Sequence, residues 1–179
     1  MPEVQIRPAV ATDLPVLMAI DHSCISEYVW QMDIPREPGQ AGALFREIRL
    51  PRSIAVAYPR PVAALSEAWT RKMGMLVAVL DEQPVGYVRM SDAIIPRTVW
   101  ITDVLVAPRL RRKGVATTLI LAVSTWATER RDQRAILEMP SKNDPAIRLA
   151  QKLGFEFCGY NDKYYETQDI ALFFGRSIR

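Results

Sequence analysis

The stretch Asp103-Val104-Leu105-Val106-Ala107-Pro108-Arg109-Leu110-Arg111-Arg112-Lys113-Gly114-Val115-Ala116 decides how this chain folds. An apolar run closed by Pro108 reads as the end of a strand beginning near Thr98, and a basic loop with one glycine follows it. Val115 to Arg131 then carries Val115, Leu119, Ala122, Val123 and Trp126 at helical spacing along one face. A helix start exposes unpaired N–H groups and a partial positive charge, so a strand, loop and helix in this order can receive phosphate oxygens. Gly114 permits close backbone approach to such an anion, and the small Ala116 keeps that approach open. Arg109, Arg111, Arg112 and Lys113 crowd the loop and would add charge-assisted hydrogen bonds to a diphosphate. A solvated basic turn would carry the same residues, so the flanking sequence has to discriminate.

On the N-terminal side, Met75 to Leu80 and Val85 to Met90 are apolar runs separated by Asp81-Glu82-Gln83-Pro84, the chemistry of an antiparallel hairpin. On the C-terminal side, Ala135 to Met139 reads as a short strand. Asn143 or Asp144 caps a helix that Pro145 opens and Gly154 closes, and Phe155 to Tyr160 with Ile170 to Phe174 forms a last hairpin. At the start, Ile6 to Pro8 has strand character, and Thr12 offers an N-cap to a helix with Leu14, Leu17 and Met18. Between His22 and Met73 the pattern is poor and broken by Pro35, Pro38, Gly39, Pro51, Pro59 and Pro61. Within it Ile54 to Tyr58 reads as a strand and Val62 to Lys72 as a short helix, and the segment is expected to supply substrate selectivity. The order of elements predicts a mixed, twisted, mostly antiparallel α/β (α+β) sheet flanked by helices on both faces.

A chain of 179 residues, 49% apolar, can bury one substantial core, so a single domain spanning 1–179 is expected, with an irregular elaboration at about 22–73. Neither a signal peptide at Met1-Pro2-Glu3-Val4-Gln5-Ile6 nor an apolar run of roughly 18 residues is present, which predicts a soluble, cytoplasmic protein without a membrane partner. The net charge of +3, from 23 basic and 20 acidic residues, is too mild for an obligate nucleic-acid binder, and the basic loop lacks interleaved stacking aromatics. Cys24 and Cys158 stand far apart without metal-spaced neighbours, which predicts core thiols, no disulfide and no metal site.

The basic glycine loop, followed by Asn143-Asp144-Pro145-Ala146-Ile147-Arg148-Leu149 and Gly154-Phe155, resembles the acetyl-coenzyme A site of GNAT superfamily N-acetyltransferases over roughly Asp81 to Phe155. The arrangement of the whole chain, including the long segment before Met75, is similar to that of streptothricin acetyltransferases. The resemblance implies transfer of an acetyl group from acetyl-coenzyme A to a primary amine in a ternary complex, the amine being a small molecule or a peptide. It implies that Val104, Leu105 and Val106 pair with the pantetheine amides, that Arg111, Arg112, Lys113, Gly114, Val115, Ala116 and Thr117 hold the diphosphate, and that Asn143 contacts the pantetheine arm. It also leaves room for a homodimer, a state common in that family. The alternative is a non-catalytic acyl-coenzyme A-binding regulatory module.

The reaction needs a base for the amine and a donor for the oxyanion, and it is helped by an acid for the departing thiolate. Family members resembling this arrangement place a glutamate at the position of Glu138, making it the first candidate base; Asp103 is the second. Either could instead pair with a neighbouring arginine. A backbone N–H near Leu105 or Val106 would hold the oxyanion. The sequence departs from the family at Ala150, where a tyrosine commonly protonates the thiolate; Tyr165 or Tyr164 in the last hairpin is the substitute sought. His22, the only histidine, is read as structural, and Tyr28, Trp30 and Trp69, with Glu27 and Asp33, as a lining for a cationic amine.

Overall fold

A computed structural model describes residues 3–70 and 74–178. Along them run β1 (Gln5–Pro8), α1 (Leu14–Met18), β2 (Cys24–Asp33), β3 (Leu44–Val56), α2 (Ala64–Thr70), β4 (Gly74–Leu80), β5 (Gln83–Ile95), β6 (Thr98–Val106), α3 (Val115–Glu129), β7 (Arg134–Pro140), α4 (Asp144–Lys152), β8 (Glu156–Asn161) and β9 (Ala171–Ser177). Seven strands form one sheet in the order β1-β4-β5-β6-β7-β9-β8, antiparallel at every junction except β6 with β7.

Alternation along the strands divides the core. Leu76, Ala78, Val88 and Met90 turn toward α3 and α4, where Leu119, Ile120, Val123 and Ile147 are buried. Met75, Val77, Val79, Tyr87 and Leu105 turn the other way, onto Leu14 and Leu17 of α1 and Leu65 of α2. The sheet is thus mixed, mostly antiparallel and covered by helices on both faces, as the element order predicts.

The strand expected at Thr98 to Val106 has those bounds, and the Asp81-Glu82 turn of the predicted hairpin is built from two residues with positive φ, 49° and 62°. The helix near the N-terminus starts differently from expectation. Thr12 does not cap it; instead the Asp13 carboxylate accepts the Val10 amide at 2.8 Å and a bidentate pair from Arg7 at 2.8 Å each. Arg7 holds the Asp13 carboxyl below the usual carboxylate range, against the opposing push of burial. Stability from this depressed group is present above the ordinary carboxylate pKa near 4 and is lost as pH falls from there through the lower value of the folded state. An Asp13→Asn protein is expected to lose about 1–2 kcal/mol at pH 7, lowering Tm by about 2–8 °C. Thermal melts should show that deficit shrinking at pH 3.

The largest departure is at 22–73. In place of an irregular elaboration, β2 and β3 form a long antiparallel hairpin outside the main sheet. Of the expected Ile54 to Tyr58 strand, Ile54 to Val56 are the end of β3 and Ala57 and Tyr58 lie beyond it; the expected helix is α2, with Arg71 and Lys72 outside the described residues. Pro51 is tolerated because the ladder lapses between Ser26↔Ile54 and Tyr28↔Arg49, so no pairing amide is needed there. The hairpin is stitched to the C-terminal half by Trp30 N–H to the Ser141 carbonyl at 2.9 Å and Trp30 Nε1 to Asp144 at 3.2 Å. Arg148 lies over Tyr28, and Asp33 pairs with Arg46, so these residues do not line the cavity described below. Cys24 is half-buried and Cys158 exposed; neither is a core thiol, and both are free.

Candidate active site

β6 and β7 pair in parallel from Thr98↔Arg134 to Ile101↔Leu137, and there the ladder stops although both strands continue. On the β5 side the register shifts between Met90↔Ile101 and Arg89↔Asp103, leaving Thr102 as an extra residue at the point of departure. Such a bulge bends a strand. A cavity of about 90 Å³ opens between the diverging strands, closed on its other sides by α4 and by the loop after β3. The Ala107 amide donates to Val85 at 2.8 Å, and antiparallel pairing alternates, so Leu105 addresses Tyr87 while Val104 and Val106 turn their N–H groups toward the gap. Of the two amides considered for an oxyanion, Val106 faces the opening and Leu105 does not.

β6 leads through Pro108 into α3. Gly114 occupies its N-cap with φ 89°, no side chain caps the helix, and no acidic residue stands in its first turn. The start of α4 contrasts with this: Asn143 accepts from the Ala146 amide at 3.2 Å, and Asp144 sits in the first turn. Among the described residues, no side-chain acceptor claims the donors opening α3. Arg112 and Lys113 are exposed beside them. Arg111 is not available to a phosphate through its side chain, because its guanidinium donates to Val106 O at 2.9 Å, Ser23 O at 2.7 Å and Asp21 O at 2.6 Å. It fixes the end of β6 against the entry to β2.

Both candidate bases line the cavity, and both are engaged. The Asp103 and Glu138 side chains are 2% and 0% exposed. Arg89 donates to Asp103 at 2.6 Å, and Tyr58 donates to the same carboxylate. Glu138 accepts from Trp100 Nε1 at 2.8 Å and Tyr164 Oη at 3.0 Å. Arg60 spans the pair, contacting Glu138 with one amino group and Asp103 with the other at 3.3 Å. Burial opposes the charge on Arg60, and the two carboxylates outweigh it, raising its pKa. Tyr58, Arg60 and Arg89 are the residues that sequence reasoning missed. The one available signal was Pro59-Arg60-Pro61, where flanking prolines restrict the backbone of a lone cation.

Tyr165 also lines the cavity, and its buried hydroxyl has no hydrogen-bond partner among the described residues. Burial, then the nearby Glu138, raises its pKa far above the usual phenol range, so it stays protonated. Tyr164 is pushed up to about 12, by burial and then by Glu138. Ala150 is fully buried on α4 among core residues. His22 lies at the cavity wall, packed on Tyr58 at 4.9 Å, with Nδ1 2.6 Å from the Ile20 carbonyl and Nε2 buried; burial lowers its pKa. Asn143 places its side-chain oxygen on its own helix and 3.5 Å from Cys24.

β6 thus parts from its parallel neighbour beside two ion-paired carboxylates and runs on into a helix whose start no side chain caps. The description "Acetyltransferase (GNAT) family" fits residues 43–155, and the chain belongs to that family. It is an N-acetyltransferase that uses acetyl-coenzyme A. Among curated proteins it is 25% identical over 167 residues to streptothricin acetyltransferase of Streptomyces lavendulae, covering 90% of this chain and 86% of that one. It is 28% identical over 123 residues to an N-alpha-acetyltransferase of Saccharolobus solfataricus, covering 59% of this chain and 70% of the other. Among solved structures, nourseothricin acetyltransferase superposes with a TM-score of 0.83 at 23% identity, over 98% of this chain and 99% of that one. A Bacillus anthracis protein in complex with acetyl coenzyme A gives 0.78 at 21% identity over the same shares.

Proposed function

We propose that acetyl-coenzyme A lies with its diphosphate on the amides of Arg112 to Thr117, its pantetheine along Val104 to Val106 and beside Asn143, and its thioester in the cavity between β6 and β7. A primary amine attacks the thioester carbonyl directly in a ternary complex. The observation that carries this reading is the parting of the two strands after Ile101 and Leu137, with a cavity between them lined by Asp103, Glu138 and Tyr165.

The ammonium form of the acceptor gives a proton to Glu138, whose two oxygens offer about four lone-pair sites against the protein donors already on them. Asp103, neutralised by Arg89, acts as the second carboxylate of the site. The freed lone pair forms the new C–N bond, the tetrahedral oxyanion is held by the Val106 amide, and the C–S bond breaks. As the C–S bond breaks, the nitrogen gives its second proton to the Tyr165 oxygen while the phenol proton passes to the departing sulfur, so Tyr165 ends protonated, coenzyme A leaves as the thiol, and Glu138 returns the first proton to solvent. The acceptor is a small-molecule amine. The relative that acts on streptothricin matches across 90% of this chain, whereas the N-alpha-acetyltransferase matches 59%.

A Tyr165→Phe enzyme is expected to keep its affinity for acetyl-coenzyme A while kcat drops by about 10²-fold. Calorimetry and release of free thiol over a panel of small amines and N-terminal peptides measure both halves. Activity confined to the peptides would overturn the acceptor assignment, and an unchanged kcat would remove Tyr165 from the reaction.

A further inference from the structure

Arg60 differs in kind from the other cation on these carboxylates. Arg89 rises from within β5, its side chain 7% exposed, and binds Asp103 and the Thr102 hydroxyl at 2.6 and 3.0 Å. Arg60 reaches in from the loop between β3 and α2, outside the sheet, and its side chain is 20% exposed. Its surroundings are Glu138, Asp103 at 3.3 Å, the Thr102 carbonyl at 3.3 Å and the face of Tyr165 at 5.1 Å. Carboxylates, a carbonyl and an aromatic face are what a protein offers to bind an ammonium or guanidinium ion. The guanidinium therefore sits where an incoming amine has to bring its own positive charge.

We propose that Arg60 fills the seat of the acceptor's cationic group while no acceptor is bound, and so determines which amines are used: those whose charge displaces this tethered guanidinium from Glu138 and Asp103. This rests on the reading of the cavity as the acetyl-transfer site. The charge balance supports the exchange. With Arg60 withdrawn, Asp103 remains paired with Arg89, whereas Glu138 keeps, among the described residues, the neutral donors Trp100 and Tyr164. One uncompensated negative charge is left, matching one ammonium. The exchange also frees a lone pair of Glu138 at the moment an ammonium arrives beside it, coupling arrival of the acceptor to loss of its proton. The backbone need not move: Tyr58 stays anchored on Asp103, and Pro59 and Pro61 hold the chain on either side.

The test uses methylguanidinium, a cation of the same shape that accepts no acetyl group in this site. If Arg60 occupies the seat nine-tenths of the time, its removal strengthens a competitor about tenfold. Arg60→Met is expected to bind methylguanidinium about tenfold more tightly than the native enzyme, with a similar fall in KM for the acceptor and an unchanged Kd for acetyl-coenzyme A. Unchanged or weaker methylguanidinium binding would overturn the proposal and make Arg60 a fixed part of the site. Should Arg60→Met fail to fold, the native protein answers by NMR: saturation with methylguanidinium should shift the Arg60 Nε–H signal toward that of an exposed arginine and speed its exchange with water. A signal that stays in place would equally overturn the idea. Both measurements run without acetyl-coenzyme A, so absence of cosubstrate binding or thiol release would strike the transfer reading and leave this test intact.

Discussion

A Gly114→Trp protein is expected to bind acetyl-coenzyme A at least about 10²-fold more weakly than the native enzyme. Hydrogen bonds to charged groups contribute about 1.5–3 kcal/mol each, so losing two phosphate contacts removes about 3–6 kcal/mol, and every 1.4 kcal/mol is about tenfold in affinity. Gly114 holds φ at 89° directly before the first turn of α3. An indole there crowds a helix start that has no side-chain cap and no acidic residue, and strains the backbone by about 1–2 kcal/mol. That strain alone would lower Tm by about 2–8 °C, so stability and binding have to be separated. Gly39→Trp is the control, because Gly39 has φ 79°, an added Cβ there would meet nothing within 4 Å, and the residue lies in the hairpin connection. It should carry similar strain and keep full affinity. Native protein at a hundred times Kd should gain about 2.7 kcal/mol of stability from the ligand, and Gly114→Trp should gain almost none. Full affinity in Gly114→Trp would remove the diphosphate from the start of α3.

Replacing Glu138 with Gln is expected to lower kcat/KM by about 10²–10⁴-fold if this carboxylate takes the amine's proton. The shape is kept, but a Gln offers one oxygen where Glu138 serves Arg60 on one side and Trp100 and Tyr164 on the other. Part of the effect is therefore structural, about 1–3 kcal/mol of stability from the mispaired amide. Thermal melts and the affinity for acetyl-coenzyme A measure the structural part, and Asp103→Asn, which disturbs the same ion-paired cluster, should lose less activity than the Gln variant. A Gln variant within about tenfold of native would leave Glu138 a structural partner of Arg60.

Where the fold is local, the sequence is legible. The strand ending at Val106, the basic loop, the helix behind it and the Asn143 cap all follow from contacts a few residues apart, and their bounds shift by at most a residue or two. The β2–β3 hairpin was hidden for a physical reason: lying outside the main sheet, it leaves both faces half-wet, so its strands show no regular alternation of apolar and polar residues. Pro51 further disguised a strand that skips its ladder at that point. Glu138 could be named because the family resemblance places a glutamate there, and Asp103 because it lies on the preceding strand; both are inside their strands and line the cavity. Their partners could not: Arg60 stands 43 and 78 residues from the groups it binds. Thr12 was preferred to Asp13 as a cap because Arg7, which fixes Asp13, acts from another element.

The stitching of the hairpin to α4 has a consequence during synthesis. The ribbon is complete once Val56 ends β3, and residues 57–144 must still be made before its docking partner Asp144 exists, which takes a ribosome adding about 5–20 residues per second roughly 4–18 s. Two strands can pair within about 1–10 μs, so the nascent chain carries an undocked ribbon for about half of its elongation. Both of its outer edges are then open to other polypeptides. Arg46, Arg49 and Arg52 along β3 are the kind of charged residues that keep such edges from pairing with strangers until α4 emerges to receive them.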